Sequence, residues 1–126
     1  MARMFLNGSA MSGGPLHNHL RGAPLVMATK TAPGYRLFSV RDAFPGVWAD
    51  AANPAAVVGE VYEVPDEVLR DELLPSEPPE LEFGIIKLAD GSASFSMLLR
   101  RSEYESGKHH EITEYGGWRA YLASIE

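Results

Sequence analysis

The chain contains no cysteine, so it has no disulfide framework, no thiolate nucleophile and no Cys-ligated zinc. Clustered positive charge is missing as well. Eleven Lys and Arg stand against 17 Asp and Glu, for a net charge of -6, and the one basic doublet, Arg100-Arg101, is isolated. No nucleic-acid partner is expected, because phosphate neutralisation needs Lys and Arg in clusters. No apolar run approaches the ~18 residues of a membrane span, and "MARMFLNG" has no apolar region of signal-peptide length. Internal repeats, low-complexity tracts and linkers are likewise absent. The resulting expectation is one domain over residues 1–126, cytoplasmic and without a membrane partner. What remains is ordinary globular material: 45% hydrophobic and 22% charged residues, enough to bury a core at this length.

Strand patterns dominate. Met4 to Leu6 is a short apolar run stopped by Asn7-Gly8, and Pro15 is placed to begin a helical turn through Leu20. "PLVMATKTA" and "YRLFSV" read as strands, and Pro45-Gly46 in "FPGVW" reads as a turn. "AAVVGEVYEV" is the strongest strand, with Val58, Glu60, Tyr62 and Val64 sharing one face. Asp66 is placed as the N-cap of a helix over "DEVLRDELL" that Pro75 and Pro78-Pro79 end. Asp90-Gly91 centres a hairpin over "LEFGIIKLADGSASFSMLLRR", and Trp118, Tyr121 and Leu122 share one side of a closing helical turn. Six strands, two short helices and no βαβ rhythm predict an α+β fold. The expected form is a small mixed or antiparallel six-stranded β-barrel, since closure removes sheet edges.

Three stretches bear on chemistry. In "FLNGSAMSGGPLHNHL" the backbone N–H groups from Gly8 to Met11 are placed to hold an anion; a plain glycine turn satisfies the same residues. The stretch is neither a P-loop nor a dinucleotide fingerprint, and no cofactor is expected. His17, His19, His109 and His110 form no His-x-x-x-His pair, so no metal site is expected; His109 and His110 read as solvated. In "DEVLRDELLPSEPPELEFG" the carboxylates Glu77, Glu80 and Glu82 lie between a helix and a strand. One projecting into a barrel mouth would lose solvent, rise in pKa and serve as a general acid/base; the other reading is a solvated, proline-stiffened loop.

The motifs carry a resemblance. "FLNGSAMSGG" resembles the first strand and signature loop of the gamma-glutamylcyclotransferase-like family. "FPGVW" resembles its Tyr-Pro-Gly segment, and "VVGEVYEVPDEVLRDEL" its strand-and-helix unit. A Glu about seven residues before the next strand completes the pattern, and Glu77 stands at that spacing before "GIIKL". A closer likeness is to the C-terminal domain of allophanate hydrolase, through "SGGPLHNHL", "TKTAPGYRLFSV", "FGIIKLADGSASFSMLL" and above all "EITEYGGWRAYLAS". The resemblance implies a small carboxylate- or amide-bearing substrate, bound by Asn7, Gly8, Ser9, Ala10 and Met11. It makes Glu77 the general acid/base, with Glu80 as fallback. The implied reaction is conversion of a γ-glutamyl or related amide. The closer likeness implies instead decarboxylation of a carbamate, or service as partner to a separate amidase-family protein. At Ala10 the chain departs from that subgroup, which carries a histidine in "Ala-His-Leu-Ser-Gly".

Overall fold

A computed structural model describes residues 1–126. The strands are β1 (Ala2–Leu6), β2 (Leu25–Lys30), β3 (Tyr35–Val40), β4 (Phe44–Ala49), β5 (Val58–Val64), β6 (Leu81–Lys87), β7 (Ala93–Leu99) and β8 (His110–Glu111). A helical segment follows β5: α1 (Asp66–Val68) runs through a π turn (Leu69–Leu73) into α2 (Leu74–Ser76). Later come α3 (Arg101–Ser106) and α4 (Trp118–Ile125). The mixed α+β class expected from the strand-rich patterning is what forms.

The strands build two sheets, in the orders β2-β5-β1-β7-β6 and β4-β3-β8. In the larger one β1 runs antiparallel to β5 and parallel to β7. Its edge strands meet only beyond their ends, where Thr31 bridges Leu88 and Ala32 and Ala89 N–H donate to Lys87 and Lys30 carbonyls. The closed six-stranded barrel expected from the sequence is therefore replaced by two sheets, with one bridge joining the edges of the larger. Central β5 explains the arrangement. Tyr62 and Val64 enter the main apolar cluster with Met4, Leu20, Leu73 and Trp118, while Val61 joins Phe5, Ile86 and Leu88 on the other side.

Four local expectations are corrected. Pro45-Gly46 lies inside β4, where the edge position tolerates proline. A Cβ on Gly46 would sit 2.8 Å from Leu99 Cδ1, so any side chain there would have to displace Leu99 of β7. The reversal comes earlier, at Arg41 and Asp42, both at positive φ (55° and 54°). Asp42 is suited to that region by its short polar side chain, and its carboxylate accepts bonds from Ser39 and Tyr121 hydroxyls, each 2.6 Å. Asp66 does not cap its helix but is the first helical residue, beside the N-terminal ammonium at 3.3 Å. Pro75 lies within the last helical turn, and the chain turns extended only at Glu77 (φ −74°, ψ 143°). Finally, α3 and β8 went unpredicted, because six and two residues are too short to establish a period. No helix is long and apolar enough to cross a membrane.

Candidate functional site

The first loop leaves β1 at Asn7 and folds back on itself. Met11 N–H donates to Gly8 O (3.1 Å), Gly14 N–H to Met11 O (2.9 Å) and Leu16 N–H to Ser9 O (3.0 Å). The amide hydrogens of Gly8, Ser9 and Ala10 have no partner within the chain. Gly8 lies against Pro45, where a Cβ would come within 2.5 Å of the ring. The loop and the "FPGVW" strand thus form one wall, although they are distant in sequence.

That wall lines a small open cleft of about 60 Å³ whose lining includes Asn7, Gly8, Ser9, Ala10 and Glu77. Five of the six expected site residues are therefore brought together. Met11 is not. Its N–H is committed to Gly8 and its side chain is buried in the main apolar cluster, so it does not line the cleft. Asn7 is 8% exposed, and its Nδ2 is buried without a hydrogen-bond partner. Glu77 is held by the exit of the helical segment. Its half-buried carboxyl makes no hydrogen bond or ion pair, and loss of solvent pushes its pKa up to about 7. Glu80, the fallback, does not line the cleft. The Arg41 guanidinium binds that carboxylate and holds it below the ordinary range, away from the cleft.

A second carboxylate, missed in the sequence, lies behind the loop. Glu60 accepts from Ser12 N–H (2.8 Å), Ser12 hydroxyl (2.8 Å) and Tyr62 hydroxyl (2.9 Å), with Arg119 Nη2 at 3.4 Å. It is 6% exposed, yet these donors outweigh its desolvation and hold its pKa below the usual value. An acidic residue on the buried face of the strongest strand was the available signal, because buried charges demand partners.

The closing "GGWRAYL" supplies one of those partners. Trp118 and Tyr121 enter the core, Arg119 donates to Ser12 O, and Tyr121 hydroxyl holds Asp42 at the β3–β4 turn. This segment therefore ties down both loops that flank the cleft. The histidines are dispersed: His17 Nδ1 lies 3.0 Å from Ala10 O, His19 lies near Glu72 and His109 near Glu103. His109, expected in solvent, has a side chain only 5% exposed and 2.8 Å from the Glu103 carboxylate, because α3 folds over it.

A family model described as the allophanate hydrolase C-terminal domain matches residues 2–123. Urea amidolyase of Saccharomyces cerevisiae is 29% identical over 126 residues, aligning with 94% of this chain and 7% of its own. Among solved structures, a protein specific to uropathogenic E. coli is similar at 34% identity and a TM-score of 0.89, covering 97% of this chain and 95% of that one. Kluyveromyces lactis allophanate hydrolase is similar at 25% identity and a TM-score of 0.89, covering 99% of this chain and 21% of that one. The chain spans only a small part of the curated relative it matches.

Proposed function

The chain belongs to the allophanate hydrolase C-terminal domain family, and from that premise we propose that its cleft is an acid–base site for a small carboxylate-bearing amide or carbamate, with Glu77 as the proton carrier. One observation carries the reading. An unpaired carboxyl with a pKa near 7 shares a cleft with Asn7 and with Gly8, Ser9 and Ala10, whose N–H groups have no partner in the chain. A general acid/base works best when its pKa lies near the working pH. Donors aimed at a bound oxyanion hold charge without reorganising.

For a carbamate, neutral Glu77 gives its proton to the nitrogen as the C–N bond breaks. The bonding pair stays on nitrogen, carbon dioxide leaves, and the Glu77 carboxylate recovers a proton from water. The substrate would come from an amidase-type reaction, supplied by a partner protein of that class. A second reading follows from Ala10, where the allophanate hydrolase subgroup carries a histidine and this chain has a methyl group. On a γ-glutamyl amide, ionised Glu77 takes a proton from the α-amino group. The freed nitrogen attacks the γ-carbonyl, and Glu77 returns the proton to the leaving amine as 5-oxoproline forms.

Both readings are tested on the purified protein. N-carboxycarbamate generated in situ by a separate amidase is followed by carbon dioxide release, and a γ-glutamyl amine by 5-oxoproline release. Acceleration of one of them, lost in Glu77→Gln, is expected. Full turnover by Glu77→Gln contradicts the proposal.

A further inference from the structure

A second cavity, of about 250 Å³, opens where the start of α4 meets β2 and β5, and it shares no lining residue with the Glu77 cleft. The Gly116-Gly117 pair shapes it. Gly116 O accepts from Val58 N–H at 2.9 Å, and a Cβ on Gly117 would sit 3.2 Å from Val58 Cβ, so the chain enters α4 pressed against β5. Gly116 itself turns at φ 76°, in the left-handed region that glycine reaches without strain. The walls are largely apolar, from Ala28, Val58, Tyr115, Trp118 and Ala120. Val58 is 54% and Tyr115 36% exposed, so part of this apolar surface stands in water.

Arg119 is the one cation in the lining and Glu60 the one carboxylate. They are unequally satisfied. Glu60 already accepts from Ser12 N–H, Ser12 hydroxyl and Tyr62 hydroxyl. Arg119 uses Nη2 alone, on Ser12 O, Ser12 Oγ and Glu60, while its Nε and Nη1 have no partner within the chain and its side chain is 55% exposed. A guanidinium stays charged, and each unused N–H is a strong donor to a carboxylate. Ligand sites are mostly apolar, with a few polar groups that fix orientation. We propose that this cavity binds a small monocarboxylate with a flat apolar body, its carboxylate on the unused donors of Arg119 and its body over Val58 and Tyr115. Glu60 and Ser12 meet only Nη2, so the other donors remain for this second anion. Because Arg119 also holds Ser12, the occupant is linked to the first loop without entering the Glu77 cleft.

Benzoate is the probe, with benzyl alcohol as the same body without the charge and acetate as the same charge without the body. Each is titrated into the full chain and followed by backbone amide resonances. Benzoate should saturate one site, shifting the Tyr115–Ala120 amides and, through Arg119, that of Ser12. Benzyl alcohol and acetate should each bind about tenfold more weakly or worse. Arg119→Met keeps an apolar stem and drops the charge, and should weaken benzoate about tenfold or more. Ala28→Leu puts a larger side chain into the cavity and should weaken benzoate without touching Arg119. Glu77→Gln should leave the benzoate titration unchanged, so this inference and the acid–base reading fail separately. No saturable benzoate binding, shifts confined to Gly8–Ala10, benzyl alcohol or acetate binding as tightly as benzoate, full affinity in Arg119→Met or Ala28→Leu, or affinity lost in Glu77→Gln overturns the proposal. The probe comparison and Ala28→Leu decide it even where Arg119→Met fails to fold.

Discussion

Glu60 and Glu77 lie on opposite sides of the same glycine-rich loop and have opposite electrostatic surroundings. Glu60 is only 6% exposed, yet three hydrogen bonds and a nearby guanidinium keep it ionised. Glu77 has no partner, and desolvation alone moves it toward neutrality. Both carboxyl groups lose solvent; the supply of donors separates their outcomes. The satisfied carboxylate anchors Ser12 and with it the loop, while the unsatisfied one faces a cleft whose own donors are unused.

The contrast breaks most sharply under neutral substitution. Glu77→Gln removes the proton carrier, so turnover of the true substrate should fall about 10²–10⁴-fold, the range for loss of a general acid/base; stopped-assay rates check this. Glu60→Leu leaves the buried Tyr62 hydroxyl without an acceptor and takes the partner from Ser12 N–H, and a stranded buried group costs about 1–3 kcal/mol. A loss of about 1–3 kcal/mol in urea unfolding is expected, with the loop released.

The pH dependence should also split. Glu77 has a folded pKa raised above the ordinary 4.5 to about 7. Its contribution to stability is full below 4.5 and is lost as pH rises through about 7. Glu77→Gln should therefore be more stable than the native chain at about pH 8, by about 1–3 kcal/mol, and similar near pH 4. Glu60, whose folded pKa is lowered, contributes stability above its ordinary 4.5 that is lost as pH falls through its folded value. Glu60→Gln should flatten the acid limb, as thermal melts from pH 3 to 6 would show. The smallest effect belongs to Arg119→Lys. That guanidinium is 55% exposed and 3.4 Å from Glu60, so about 0.5–1 kcal/mol is expected in the same melts.

Part of the cleft lining was legible because its parts are local: Gly8 to Ala10 follow a strand end, a position that a linear pattern marks. Glu77 was not separated from Glu80 and Glu82 by pattern, and only the family resemblance singled it out. The Glu60 network was not legible. Ser12, Glu60, Tyr62 and Arg119 meet only when β5, the first loop and α4 are packed together. Pro45 misled for the same reason. Its local preference is a turn, but contact with Gly8 and the fit of Gly46 on Leu99 keep the segment extended. Two sheets in place of a barrel follow from β3, which pairs with β4 and β8 rather than joining the larger sheet.

The most direct test is the titration of the two carboxyl groups by carbon NMR with labelled glutamate, assigned through Glu60→Gln and Glu77→Gln. The account predicts a Glu77 midpoint near 7 and a Glu60 midpoint below 4.5. A Glu77 carboxyl that titrates at about 4.5 would contradict it.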